Sequence, residues 1–190
     1  MFILKKKYYL IIESIKDINL KNIKKRNKFI IIYRSQKKDE KIDDLLRFRN
    51  NCRRRSVNFY IANNFKLAVF LKADGVYLSS FNIAFFRFSH RKPNFKIIGS
   101  AHSWKEIIMK VKQGCEVVLL SKLFLVSYDK KAPYLGVLKF NNFLKLNKKL
   151  IPLGGINQQN LSRMNAVNSD GLALMSEVKK KPAKIFSRLF

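Results

Sequence analysis

Three features of the sequence predict an α/β fold of one kind, a compact (β/α)8 TIM barrel. Eight short apolar runs recur along the chain, at Tyr8–Ile12, Phe29–Tyr33, Val57–Ile61, Val76–Leu78, Phe95–Ile98, Val117–Leu120, Leu150–Leu153 and Leu172–Met175. Unbroken apolar runs, as opposed to alternating ones, mark strands buried on both faces of a parallel sheet. The stretches between them are long enough for crossovers. Finally, Leu150 to Val178 reads as strand, glycine loop, helix, strand and helix start. Such a unit, with a phosphate seat beyond its last two strands, is what these barrels carry after strands 7 and 8.

The chain in order supports each element. The first run, Tyr8–Ile12, is too short for a signal core or a membrane span and reads as a first strand. Helical patterns are expected over Asp17–Arg26, Glu40–Arg54, Phe65–Leu71, Trp104–Gln113, Val137–Lys148, Gln158–Ala166 and Lys179–Leu189. The fourth crossover, Asn82–Arg91, is aromatic and basic and has the least helical pattern. Ser103 with Glu106 has the spacing of a capping box before Trp104, and Gly114 follows the last periodic residue as a C-cap does. Asp74-Gly75 and Asp170-Gly171 each precede a strand, where a helix-to-strand turn calls for positive φ.

With 190 residues, 47% of them hydrophobic, the chain reads as one domain over 1–190. Barrels of this type usually take about 250 residues, so this one is expected to be trimmed. The net charge is +28. Because Lys, Ile, Asn and Phe are enriched together along the whole chain, the charge reads as compositional bias that also attracts small phosphate ligands. A polyanion partner stays open behind that reading, with nucleic acid not the expected one. The charge runs Lys5–Lys7, Arg53–Arg55 and Lys179–Lys181 sit at element edges, where a solvated face is the default. Cys52 and Cys115 match no metal-ligand spacing, no secretory signal precedes them, and a reducing, cytoplasmic setting is expected.

The Gly154-Gly155 loop allows close backbone approach with N–H groups exposed, and a helix start near Ser176 adds partial positive charge, so the natural guest is a phosphate. A Gly-Gly pair can also be no more than a tight turn. His102 is one of two histidines, and a neutral imidazole can move a proton near neutral pH, although a lone His after a strand is commonly structural.

The segments FYIANNFKLAVFLKADGVYLSS (59–80), IIGSAHSWKE (97–106), LLSKLF with KKAPYLG (119–136), IPLGGINQQN and SDGLALMSEV resemble, in order, the thiamine-phosphate synthase family with its thiazole tautomerase branch. The resemblance implies a (β/α)8 barrel. It implies a transferase joining an aminopyrimidine diphosphate to a thiazole phosphate, with Mg2+ on the diphosphate, giving thiamine phosphate and pyrophosphate. It places the thiazole phosphate at Gly154, Gly155, Met175 and Ser176. The diphosphate is placed at Arg34, Asn63, Lys130 and Lys131, and Ser100 with His102 matches a Ser-x-His pattern. The sequence departs where the family binds metal. The carboxylate positions fall on Asn63 and Asn82, Ala62 replaces the Asn before the first of them, Gln36 replaces a Lys, Ser80 replaces a Gln, and the Thr-x-Thr-Lys segment falls on Val126 to Asp129, with Lys130 and Lys131 next to it. An amide oxygen lacks the charge that a hard cation prefers, so Mg2+ binding is expected to be weak. A metal-free isomerase of a thiazole phosphate, with His102 as proton carrier, and a non-catalytic binder of phosphorylated ligands are the alternatives. The expected partners are small phosphorylated thiazole and pyrimidine ligands, with no membrane.

Overall fold

The computed structural model describes residues 5–23, 27–35, 40–85, 95–126, 129 and 131–179. Its strands are β1 (Lys7–Ile12), β2 (Phe29–Tyr33), β3 (Asn58–Ala62), β4 (Gly75–Leu78), β5 (Lys96–Ala101), β6 (Val117–Ser121), β7 (Leu150–Leu153) and β8 (Gly171–Leu174). Each pairs in parallel with the next, and β8 pairs with β1, so the sheet closes into an eight-stranded barrel. The apolar runs are therefore strands, each within a residue or a few of its expected bounds.

Both faces of every strand are used, which is why the runs are unbroken. Tyr9, Ile11, Ile32, Tyr60, Tyr77 and Leu119 point into the barrel and fill it. Their neighbours Tyr8, Leu10, Ile12, Ile31 and Phe59 point outward and are buried under the helices. Burying side chains of this size contributes about 1.5–3 kcal/mol each, so the two layers drive closure. Register slippage is disfavoured on both faces at once.

The helices are α1 (Ile42–Arg54), α2 (Phe65–Phe70), α3 (Trp104–Lys112), α4 (Gly136–Leu146) and α5 (Ser176–Lys179). Helix α1 is tied to the sheet through Arg49, whose guanidinium reaches Asp74 at 3.1 Å and the Lys72 carbonyl at 3.0 Å. The other Asp74 oxygen accepts from the Phe59 N–H at 2.7 Å. Ser103 caps α3 through the Glu106 N–H, and Gly114 follows at φ 81°. Among the described residues no helix is long and apolar enough to cross a membrane.

Several expectations are corrected. The helix over 17–26 is two short 3-10 turns, Ile15–Asp17 and Leu20–Asn22, with 24–26 outside the described residues. The Asp17 carboxylate accepts from the N–H groups of Glu13 and Ser14, and Asn19 caps Lys21, so side chains compete with helical backbone bonding. The helix over 158–166 is a 3-10 segment, Leu161–Ala166. Asn157 and Asn160 exchange side-chain bonds with each other's backbone N–H, at 2.9 and 3.2 Å, in place of the first helical turn. In the fourth crossover, residues 82–85 form no helix and 86–94 lie outside the described residues. Of the helix expected over Lys179–Leu189, all but Lys179 lies outside the described residues.

Gly75 and Gly171 are not at positive φ. They are needed for room. A Cβ on Gly75 would overlap the Lys96 carbonyl oxygen and lie 2.6 Å from the Tyr60 ring, and one on Gly171 would lie 2.7 Å from the Lys7 carbonyl oxygen.

Candidate functional site

A cavity of about 280 Å³ opens at the C-terminal ends of the strands. That is the face on which barrels of this kind place their ligands, and the volume suits a small molecule. Arg34, Ser100, His102, Gly154, Gly155, Met175 and Ser176 all line it. Seven positions at the C-terminal ends of four strands, β2, β5, β7 and β8, are thus brought together by barrel closure.

The β7 loop is shaped by two residues in the left-handed region, Gly154 at φ 91° and Gly155 at φ 71°. Its carbonyls are turned into the protein. Gly154 O accepts from the Phe124 N–H at 3.1 Å, and Gly155 O accepts from the Asn160 amide at 2.7 Å. In a planar trans peptide the N–H points opposite to the carbonyl. The N–H groups of Gly155 and Ile156 therefore lie on the side of the loop away from those anchors, and both residues line the cavity. Gly155 also packs against the β6 loop so closely that a Cβ would overlap the carbonyl oxygens of Phe124 and Leu125. Facing this loop, Met175 and Ser176 lead into α5, which is only Ser176–Lys179. A helix this short adds little dipole, so the donors presented on this side of the cavity are the loop amides.

The floor is Tyr77, 1% exposed. Burial pushes its hydroxyl pKa up, opposed by a hydrogen bond with Ser100 and by the nearby Arg34 charge. Ser100 is thus engaged as a partner of Tyr77 and is itself 6% exposed. His102 sits at the rim, exposed, and its N–H donates to the Glu106 carboxylate at 2.9 Å, which fixes the backbone that carries the imidazole. Among the described lining residues Glu177 is the only carboxylate and Arg34 the only Lys or Arg.

Asn63 follows β3 at φ 54°, and Asn82 follows β4. Neither lines the cavity; Ser79, Ser80 and Phe81 do. The two asparagines instead pair with each other, Asn82 Nδ2 donating to Asn63 Oδ1 at 3.1 Å. The same oxygen accepts from the Ser79 N–H at 3.0 Å, and Asn63 Nδ2 donates to Ser79 Oγ at 2.9 Å. The Asn82 oxygen accepts from the Ala84 N–H at 3.0 Å. Both amide oxygens are therefore occupied in holding the loop, and neither brings a charge. Mg2+ seeks carboxylate oxygens, so this donor set does not fit it. No group of three or more His, Cys, Asp or Glu among the described residues is placed to hold a metal ion.

Lys131 is exposed and outside the cavity lining, and Lys130 lies outside the described residues, as does Gln36. The sequence reading missed Tyr77, Ser79, Ser121 and Glu177 as cavity residues. It also missed Lys110, fully buried on α3 behind the β4 loop. Nothing local marks Lys110: the neighbouring Ile108 and Val111 are the residues a pattern would bury, and they are 43% and 50% exposed.

The family model of thiamine monophosphate synthase matches residues 8–178. A curated thiamine-phosphate synthase of Clostridioides difficile is 27% identical over 139 residues, a match covering 71% of this chain and 65% of that relative. Among solved structures, the thiamine phosphate pyrophosphorylase from Pyrococcus furiosus superposes with a TM-score of 0.71 at 19% identity, covering 97% of each chain. KGPDC from Streptococcus mutans also superposes, with a TM-score of 0.67 at 7% identity and 97% of each chain. At such identities these two likenesses show the fold alone.

Proposed function

The chain belongs to the thiamine monophosphate synthase family, and from that premise we propose that it is a transferase of thiamine biosynthesis acting at the cavity described above. An aminopyrimidine diphosphate and a thiazole phosphate are the substrates. The thiazole nitrogen supplies the electron pair for a new C–N bond, and pyrophosphate leaves with the pair of the broken C–O bond. The observation that carries this reading is the convergence of the Gly154-Gly155 loop, Met175-Ser176 and Arg34 on one small cavity.

Roles follow from position. The N–H groups of Gly155 and Ile156, with Ser176, take the thiazole phosphate. Arg34 is placed to accept the diphosphate, since a guanidinium offers paired donors to phosphate oxygens. Lys130 and Lys131, next to the position of the family's lysine, are the further cations for it, although Lys131 lies outside the cavity lining. Ser100 fixes Tyr77 at the floor, and His102 at the rim is the imidazole placed to carry a proton. At the family's metal positions, Asn63 and Asn82, Mg2+ would meet amides and no carboxylate, so the departing pyrophosphate is stabilised by the chain's own donors. A slow reaction with weak Mg2+ dependence is expected. A cytoplasmic setting and small phosphorylated partners accord with this reading.

A second reading is favoured by the same paired asparagines with His102 at the cavity: isomerisation of a thiazole phosphate, which needs a proton carrier and no metal. One experiment separates them. Purified protein given both substrates should form thiamine phosphate and pyrophosphate in equal amounts. If neither appears while a thiazole phosphate still binds or isomerises, the transferase assignment is overturned.

A further inference from the structure

Lys110 is the most deeply buried charged side chain among the described residues, at 0% exposure. Its stem runs past Gly99 of β5, where a Cβ would lie 3.0 Å from both Lys110 Cγ and Cδ and 2.8 Å from Cys115 Sγ. Only a glycine leaves this channel open. At its end the nitrogen donates to the carbonyls of Ser79 and Asn82, each at 2.7 Å, and to Gln113 Oε1 at 3.0 Å. Three acceptors match the three donors of an ammonium, whereas a neutral amine has two. The geometry thus requires the charged form. Gln113 completes the clamp by donating to the Asn82 and Ala84 carbonyls at 2.9 and 2.8 Å.

Among the described residues no carboxylate pairs with this charge. Glu106, one turn earlier on α3, is turned to the His102 and Ser103 cap. Burial pushes the Lys110 pKa down, so the charge is held against a desolvation cost. A neutral side chain could not make the three bonds, but two backbone carbonyls and one amide oxygen are dipoles, and the nearby Glu106 charge favours the ammonium without forming an ion pair with it. Ser79, bonded directly to the ammonium, is also wall of the cavity.

We propose that Lys110 is a fixed internal counter-charge for an anionic ligand in the cavity, holding the β4 loop in place and supplying, through one layer of backbone, positive potential where Asn63 and Asn82 hold no metal. Lys110 is a positioning residue, touching no ligand. The proposal rests on reading the cavity as a site for phosphorylated ligands, and its chemistry predicts preference for the more highly charged of two anions.

The test is calorimetric titration, in EDTA, of inorganic pyrophosphate, thiazole phosphate and the same thiazole without its phosphate. Wild-type protein should bind both anions. Lys110→Met should weaken pyrophosphate by about tenfold or more and thiazole phosphate by less, with the neutral thiazole unchanged within about twofold. A purely structural clamp would weaken charged and neutral ligands alike, and that result overturns the proposal. Should Lys110→Met fail to fold, Gln113→Glu places a carboxylate against the ammonium and cancels its charge; because the two bonds donated by Gln113 Nε2 are lost with it, the neutral thiazole again serves as the control. It should give the same charge-selective loss, and unaltered pyrophosphate affinity in a folded Gln113→Glu protein overturns the proposal. Wild-type protein that binds neither anion would overturn the reading of the cavity as well, whereas wild-type binding that survives both substitutions sinks only the role of Lys110.

Discussion

Gly155 and Phe124 lock the β7 loop to the β6 loop: Gly155 stands so close that any Cβ would overlap the Phe124 carbonyl oxygen, while the Phe124 N–H bonds the carbonyl of the preceding Gly154 at 3.1 Å. Gly155→Ala must therefore separate the two loops as well as strain a backbone at φ 71°. A loss of about 1–3 kcal/mol in stability is expected, together with loss of phosphate-ester binding. Denaturant unfolding and ligand titration of the same protein check both. Unchanged stability with unchanged binding would place the anion site elsewhere.

The paired amides of Asn63 and Asn82 make a second prediction. Changing both to Asp sets two carboxylates at hydrogen-bonding distance, where like charges repel unless a cation lies between them. The double variant should lose about 1 kcal/mol of stability in EDTA. It should regain that stability when Mg2+ is added. Wild-type protein should show no such response. Thermal unfolding with and without Mg2+ decides it, and a strong Mg2+ response in the wild type would show that the amides do hold the ion.

Asp74 is a hub between α1 and β3. Asp74→Ala leaves the Arg49 guanidinium, 10% exposed, without its carboxylate and the Phe59 N–H without its acceptor. A destabilisation of about 2–4 kcal/mol is expected, because a buried charge stripped of its partner costs more than the pair contributes. Asp74→Asn should lose less, since it still offers an oxygen to one of the two donors. Chemical denaturation that ranks the two variants equal would contradict this account.

Alkaline pH should destabilise the protein. Burial pushes the thiols of Cys52 and Cys115 up to about 12 from 9.0, and the Tyr9 hydroxyl up to about 12 from 10.0. Each group stays protonated in the folded protein while the unfolded chain ionises. The stability they contribute is complete below the unfolded values and is lost as pH rises from 9.0 towards 12. The same burial predicts slow alkylation of both thiols in the native state and fast alkylation in denaturant, which a thiol titration would read directly.

The strands, their order and their parallel sense are legible in the sequence because a buried parallel strand needs an unbroken apolar run, and that is a local property. The Gly154-Gly155 turn is legible for the same reason, since positive φ is a demand on one residue. The three-dimensional arrangement alone decided the rest. Asparagine side chains at 157 and 160 captured backbone groups that a helical pattern promised to α-helix. Gly75 proved to be a matter of the Tyr60 ring from another strand, and not of its own φ. Asn63 and Asn82, far apart in the chain, meet because β3 and β4 are neighbours with Ala62 in register with Tyr77. Lys110 faces inward, against the pattern of its helix, because Gly99 on β5 leaves a channel and three acceptors wait at its end. A local pattern encodes the backbone a residue prefers and its average burial, whereas which space is left empty, and which donors are left wanting, depends on side chains that closure brings together.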